Sequence, residues 1–162
     1  MKEVLLQYAT YHGWANRRLI DSILLLPAET HTRVVVSSFP SLFETVQHMW
    51  NAESTWWQRM KMLENVIPPA SGSQQMVEVA EGLQEQDKLW ENWVTNASIA
   101  AIEHVFHYQN SKREQFRQPI WQMLLHLFNH GTYHRGQLVT MLRQLGMNVI
   151  PATDFIVWSR RK

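Results

Sequence analysis

Helical hydrophobic periodicity constrains this chain more than any other feature, because it recurs in four long stretches that are separated by helix-breaking residues. Pro27 ends the first stretch, and a proline cannot continue a helix. The pattern Ser41-Leu42-Phe43-Glu44 is a capping box that begins the second. Pro119 suits the first turn of the fourth, and Gly146 suits its C′ position. The pattern therefore predicts four helices, over Lys2–Leu26, Ser41–Asn65, Gln74–Ala97 and Pro119–Gly146.

In two segments the apolar residues do not recur with helical periodicity. Residues 98–118 alternate briefly, with Phe106 and Tyr108 on either side of His107, so they favour a short hairpin or an extended loop. The tail, Met147–Lys162, carries several apolar side chains that are unfavourable in water. We therefore expect the tail to pack against the rest of the protein.

Four long helices with short connections predict an all-α fold, a four-helix bundle with a less regular segment before the last helix and a packed C-terminal tail. The link of about 20 residues before the fourth helix allows a crossover rather than a simple up-and-down order. At 162 residues, the chain is expected to form one domain over residues 1–162.

Composition excludes several classes of protein. The chain has no cysteine, so disulfides and thiolate metal sites are excluded and a cytoplasmic location is expected. The N-terminal residues do not resemble a signal peptide, and no apolar run is long enough to cross a membrane. The net charge of +1 gives no electrostatic reason to bind nucleic acid. A charge near zero also does little to oppose self-association.

Three histidines lie four residues apart on the fourth predicted helix: His126, His130 and His134. On a helical wheel His134 falls inside the edge of the apolar arc, His130 lies on its shoulder and His126 points toward solvent. Neighbouring members are close enough to chelate one ion, whereas His126 and His134 are about 12 Å apart along the axis. The pattern therefore predicts that His130 and His134 form a metal-binding pair and that His126 is exposed. Two core histidines bonded to backbone carbonyls would give the same spacing.

A third ligand from another helix would strengthen this prediction, and the residues leave two choices open. His12 lies on the apolar face of the first helix, which is typical of a core histidine. His48 lies on a different side of the second helix from its apolar arc, on a stripe of small residues that contains Thr45, Ala52 and Thr55. We hypothesise that this stripe lets another helix approach closely, while the tryptophan-rich arc is buried elsewhere, for example against a second subunit.

Other polar residues fall on apolar faces. Arg135 requires a carboxylate there, and Asp154 in the tail is our predicted partner, with a snorkelling arginine as the alternative. Glu53 is predicted to form a structural ion pair, for example with an arginine; the alternatives are a hydrogen-bond partner of a metal ligand or a general base near the ion. The tryptophans most simply build the core and subunit contacts.

Five motifs extend over nearly the whole chain: YHGWANR at residues 11–17, QHMWNAE at 47–53, NHGTYHRGQ at 129–137, LRQLG at 142–146 and ATDF at 152–155. Together they resemble the DinB family, and the NHGTYHRGQ stretch followed by LRQLG is the most specific part. The resemblance implies a four-helix bundle, often assembled as a homodimer. It also implies a metal site with one histidine from the second helix and two from the fourth, here His48, His130 and His134. The resemblance implies nickel or zinc as the metal, and the spacing does not choose between them.

The resemblance also implies a function. Relatives include S-transferases that use low-molecular-weight thiols such as bacillithiol or mycothiol, and metal-dependent hydrolases. Three neutral imidazoles leave a coordination position open, which favours catalysis over a structural role. We therefore expect a metal-dependent transferase or hydrolase that acts on a small molecule. The alternative is a non-catalytic dimeric bundle in which the metal is structural.

Overall fold

Four long helices dominate a computed structural model that describes residues 1–63, 65–70, 72, 75–110 and 112–161. Three short helices and one hairpin connect or follow them. The long helices are α1, α3, α4 and α6, and the short helices are α2, α5 and α7. Their bounds are α1 Lys2–Leu24, α2 Ala28–His31, α3 Leu42–Met60, α4 Met76–Asn96, α5 Ile99–Glu103, α6 Ile120–Gln144 and α7 Phe155–Ser159.

The four predicted helices are confirmed, with differences at their ends. Ser41 caps α3 as predicted, because its Oγ accepts a hydrogen bond from the Glu44 amide. The predicted end of that helix at Asn65 is wrong: α3 ends at Met60, because Met62 takes a left-handed backbone conformation that turns the chain away. The predicted start of the third helix at Gln74 lies outside the described residues.

The fourth predicted helix begins one residue later than expected, since Pro119 is the N-cap of α6 rather than part of its first turn. Its C-terminal end follows the prediction. Gly146 has φ +92°, and the Met147 amide donates to the Leu142 carbonyl, which is the hydrogen bond of a Schellman motif.

The less regular segment contains α5 and a two-stranded antiparallel hairpin, β1 Val105–Gln109 and β2 Gln115–Pro119. The hairpin was one of the two predicted structures, whereas α5 was not predicted. Ser98 caps α5 by accepting a hydrogen bond from the Ala101 amide. The Ile120 amide, at the start of α6, donates to the His104 carbonyl and so links the hairpin to the last long helix.

The four long helices pack in a ring in which α1 touches α4, α4 touches α3, α3 touches α6 and α6 touches α1. Consecutive helices α3 and α4 are neighbours, but α4 and α6 lie diagonally across the ring. The chain therefore crosses the bundle between them, as the long link allowed. This arrangement brings α3 beside α6, which are the two helices that carry His48, His130 and His134.

Two clusters of buried side chains form the core. The apolar arc of α3 packs inside the same chain, with Leu42, Val46 and Met49 buried against residues of α1, α4 and α6. This part of the arc is therefore buried within one chain, whereas the hypothesis gave a second subunit as an example of what could cover it. The small-residue stripe does face another helix, because Thr45 Oγ1 lies 3.4 Å from Met141 Sδ on α6.

The C-terminal tail packs on α1, as predicted. Its Phe155 ring stacks on Tyr8 with centroids 5.4 Å apart, and the Tyr11 hydroxyl donates to the Thr153 carbonyl at 2.8 Å. Ile156 is an exception to the expectation, since 54% of its surface is exposed. Within the described ranges, no helix is both long and apolar enough to span a bilayer.

Candidate metal centre

The three histidines that the sequence indicated meet between α3 and α6. His130 and His134 lie one turn apart on α6, and His48 reaches them from α3. The Nε2 atoms of His134 and His130 are 3.0 Å apart, and those of His48 and His130 are 3.4 Å apart. Ligands about 2.0–2.1 Å from a tetrahedral ion lie about 3.3 Å from one another. The spacing therefore fits three nitrogens around one ion.

His134 is held in the form that can bind a metal. Its Nδ1 lies 2.8 Å from Gln137 Oε1. The Gln137 amide is oriented by Ser38, because its Nε2 donates to Ser38 Oγ at 2.7 Å. The Gln137 oxygen must therefore accept a hydrogen from His134 Nδ1, which leaves the lone pair of Nε2 facing the other two imidazoles.

Burial keeps the three imidazoles neutral. It lowers the pKa of His130 to about 4, with further contributions from His134 and His48. Burial also lowers the pKa of His48, with His134 adding to the effect, and burial lowers the pKa of His134. An imidazole must be unprotonated to bind a metal. The cluster is thus in its ligating form at neutral pH.

Aromatic residues enclose part of the site. Phe39, from the loop before α3, stacks on His48 with ring centroids 4.4 Å apart and lies 5.9 Å from the His134 ring. His134 is buried, whereas His48 and His130 are only partly buried. His126 is exposed, as predicted, with its ring 5.8 Å from that of His130.

A second polar cluster lies beneath the first and contains His12. Its Nε2 is 2.8 Å from Glu53 Oε1 and 3.3 Å from Asp87 Oδ1, and all three residues are buried. Both this set and the three-histidine set bring together groups that could hold a metal. The protonation state of His12 distinguishes the two sets.

The neighbouring carboxylates commit His12 to a different role. Burial lowers the pKa of His12, but the charge of Glu53 and hydrogen bonds to Asp87 and Glu53 outweigh this effect and raise it to about 9. The imidazole is therefore protonated at neutral pH, and its Nε2 donates a hydrogen bond to Glu53. A protonated imidazole has no free lone pair for an ion. The geometry therefore favours His48 over His12 as the third nitrogen of the candidate site.

The prediction that Arg135 pairs with Asp154 is wrong. Asp154 is exposed and is the N-cap of α7, whereas Arg135 is 2% exposed and donates to Asn16 Oδ1 at 2.9 Å and to Thr132 Oγ1 at 2.7 Å. Its burial also excludes a snorkelling arginine. Burial lowers the pKa of Arg135, and Tyr11, followed by Asp87 and Glu53, acts in the opposite direction.

Glu53 forms a buried ion pair, as one of its two predicted roles required, but its partner is His12 rather than an arginine. Burial raises the pKa of Glu53 to about 7, and the charge of Asp87 adds to this. Glu53 Oε2 is buried and has no hydrogen-bond partner in the described part of the chain. Since Glu53 faces His12, the geometry gives no support for Glu53 as a general base.

Sequence reasoning missed Gln137, Phe39 and Asp87. Gln137 could have been found, because it follows His134 by three residues and so lies on the same helical face. Asp87 also carried a signal: it falls on the apolar stripe of α4 between Leu83 and Trp90. The position of Phe39 beside His48 had no signal, because it depends on how the loop before α3 folds back.

Known proteins share this architecture. A family model described as the DinB family matches residues 1–160. Protein DinB of Bacillus subtilis (strain 168) is 27% identical over 151 residues, which cover 90% of this chain and 87% of that protein.

Two solved structures are similar in fold. A DinB-like protein from Bacillus cereus ATCC 10987 superposes with a TM-score of 0.72 at 17% identity, covering 93% of this chain and 95% of the other. YfiT from Bacillus subtilis, described as a probable metal-dependent hydrolase with an unusual four-helix bundle topology, superposes with a TM-score of 0.72 at 14% identity, covering 91% of each chain.

Proposed function

The chain belongs to the DinB family, and from this premise we propose that it is a metal-dependent enzyme that transforms a small molecule at His48, His130 and His134. The observation that carries the proposal is the convergence of three Nε2 atoms at 3.0 and 3.4 Å. The description of YfiT as a probable metal-dependent hydrolase is consistent with it.

The residues of the site fit a divalent transition metal. The donor set is three neutral imidazoles, with no carboxylate among them, and imidazole suits nickel and zinc alike. Three protein ligands leave a coordination position open, as in catalytic rather than structural zinc sites. When bound, such an ion supplies a Lewis acid and lowers the pKa of a water or thiol that occupies the open position.

The protein's own residues hold and shape this site. Ser38 and Gln137 orient His134, Phe39 packs against His48, and the partial exposure of His48 and His130 leaves a route for a small molecule. The proposed reaction is the transfer of a group to a low-molecular-weight thiol or the hydrolysis of a small substrate. We also propose that the protein acts as a homodimer, which light scattering would test directly.

Metal content tests the proposal. Untagged wild-type protein, reconstituted with nickel or zinc, is expected to hold about one ion per chain by mass spectrometry. The His134→Ala variant is expected to lose it, whereas His126→Ala, a matched change four residues from His130 at an exposed position, is expected to keep it. Wild-type protein that binds neither metal, or a His134→Ala variant that binds as well as wild type, would contradict the site.

Activity assays then separate catalysis from a structural role. Each metal-loaded protein is assayed with bacillithiol or mycothiol plus an electrophile, and with ester and amide substrates. Turnover by wild type that is lost in His134→Ala supports an enzyme. A large fall in melting temperature on chelation, with no turnover of any substrate, supports the alternative of a structural ion that joins α3 to α6.

A further inference from the structure

A cavity of about 680 Å³ opens between the C-terminal end of α3 and the hairpin. Thr55 and Arg59 of α3 form one wall, and His107 and Tyr108 of β1 form another. Its volume falls within the range of about 300–1,000 Å³ that is usual for small-molecule sites. The cavity is distinct from the three-histidine site but lies along the same helix as His48.

Arg59 is the charged group of this cavity. Its Cζ lies 4.9 Å from the Trp56 ring and 5.6 Å from the Tyr108 ring. Its Nε is buried and has no hydrogen-bond partner, and no carboxylate pairs with it, among the residues that the structure describes. Arg59 as a whole is only partly buried, and this burial lowers its pKa. A buried guanidinium donor without a partner is costly, and a carboxylate would satisfy it.

The other described residues around the cavity include apolar side chains, such as Met62 and Val66, and no carboxylate. Polar groups, including Gln109 and Asn110, line the rest of the cavity, so among the described residues Arg59 is set between apolar and uncharged polar walls. This combination favours an organic anion over a metal ion or a cationic ligand.

A line of rings joins the cavity to the histidine site. The centroids of His130 and His126 are 5.8 Å apart, those of His126 and Trp56 are 5.5 Å apart, and those of Trp56 and Tyr108 are 5.0 Å apart. Thr55 and Arg59 follow His48 by seven and eleven residues, which places them about 10 and 16 Å along the α3 axis.

We propose that this cavity binds the carboxylate end of an elongated organic substrate, with Arg59 as its counter-charge. The remainder of the substrate extends along Trp56 and His126 toward His48, His130 and His134. The assignment rests on the proposed function, because it places the reacting end of the substrate at the histidine site. It adds a substrate class: a carboxylate separated by about 10–16 Å from the reacting atom.

Two probes of the same shape test the charge preference: 2-naphthoate and the neutral 2-naphthamide. Binding is measured by calorimetry on chelator-treated protein, so that the carboxylate cannot bind a metal. We expect wild type to bind naphthoate roughly 10- to 100-fold more tightly than naphthamide, as for one charge-assisted hydrogen-bonded pair. The Arg59→Met variant should lose this preference and still bind naphthamide as wild type does, which shows that the cavity is intact.

Two further variants complete the test. Arg59→Lys keeps the positive charge but not the planar pair of N–H donors, so it should retain only part of the preference for naphthoate over naphthamide. Arg143→Met removes an exposed arginine in the last turn of α6, at the other end of that helix from the hairpin, and should bind both probes as wild type does. Equal affinity of wild type for the two probes, or a full preference in Arg59→Met, would overturn the proposal.

The same proteins separate this inference from the proposed function. Metal content of Arg59→Met should equal that of wild type, because Arg59 does not touch the histidines. A naphthoate preference that depends on Arg59 in a protein that binds no metal would support the anion cavity and contradict the proposed enzyme. A normal metal content with no preference for naphthoate would support the metal site and contradict the anion cavity.

Discussion

At the scale of single residues, the candidate site depends on a relay that holds one imidazole in place. Ser38 accepts a hydrogen bond from Gln137, and Gln137 accepts one from His134. This relay selects the tautomer in which His134 Nε2 has a free lone pair. Partners of this kind commonly contribute 10- to 100-fold to metal affinity, because they fix both the ring and its tautomer.

We therefore expect Gln137→Met to weaken zinc affinity by roughly 10- to 100-fold without unfolding the protein. The affinity is measured by competition with a chromophoric chelator. Gln144→Met is the matched control: Gln144 lies on the same helix and donates to the Val36 carbonyl, but it contacts no histidine. Equal affinities for the two variants would contradict the role of Gln137.

At the scale of helices, α1 and α6 approach closely at Gly131, between His130 and His134. A Cβ at this position would overlap Cε1 of His12 and lie 2.9 Å from its Nδ1. Gly136, five residues further along α6, has open space where its Cβ would be. The two glycines thus differ in packing while they share the same helix.

Gly131→Ala is expected to destabilise the protein by about 1–3 kcal/mol, because the added methyl group forces His12 and Arg135 apart in a filled interior. Gly136→Ala is expected to stabilise it by about 0.5–1 kcal/mol, because alanine is the better helix former. Urea denaturation measures both changes. A stabilising Gly131→Ala would show that α1 and α6 are not packed as described.

The buried polar cluster connects all four long helices, with His12 on α1, Glu53 on α3, Asp87 on α4 and Arg135 on α6. Asn16 joins two of these residues, because it donates to Asp87 at 3.0 Å and accepts from Arg135 at 2.9 Å. Each of these five residues thereby contacts a polar group on another helix, which also constrains how the helices pack.

Removing one member should be costly. We expect Glu53→Ala to lower the free energy of unfolding by about 3–5 kcal/mol, because it leaves His12 and Arg135 in the interior without that counter-charge. Glu81→Ala, on the exposed face of α4, should change it by less than about 0.5 kcal/mol. Chemical denaturation measures the free energy of unfolding of both variants. If Glu53→Ala were as stable as Glu81→Ala, the cluster would contribute little to stability.

At the scale of the whole molecule, folding creates a group of histidines that resist protonation. In the folded protein burial and the neighbouring imidazoles lower the pKa of His130 from 6.5 to about 4. Between these values the unfolded chain binds a proton that the folded protein does not. The free energy of unfolding contributed by His130 is therefore fully present above pH 6.5 and falls as the pH is lowered toward 4.

We expect metal-free wild type to lose more stability between pH 7 and pH 5 than the His130→Gln variant does, as measured by urea midpoints. Glu53, with its raised pKa of about 7, acts in the opposite direction over a similar range, but it is present in both proteins and cancels in the comparison. The exposed His126→Gln should behave as wild type. An equal loss in wild type and His130→Gln would contradict the low pKa of His130.

What the sequence determined by itself was local. Hydrophobic periodicity, the Ser41 cap and the Gly146 stop predicted the four long helices, because these signals act between residues a few positions apart. The spacing of His130 and His134 likewise placed two imidazoles on one face, since helix geometry alone sets that distance. The end of α3 was missed because it depends on a left-handed residue, Met62, with no glycine to indicate it.

Only the tertiary structure decided which residues meet across helices. Periodicity identifies an apolar face, but it does not say which helix will cover it or which polar groups will be buried opposite each other. The packing of the four helices placed His12 against Glu53 and Arg135, and the packing of α6 against α3 placed His48 beside His130. The same packing left Arg59 facing a cavity without a carboxylate among the described residues, because the hairpin and α3 meet there only through long-range contacts.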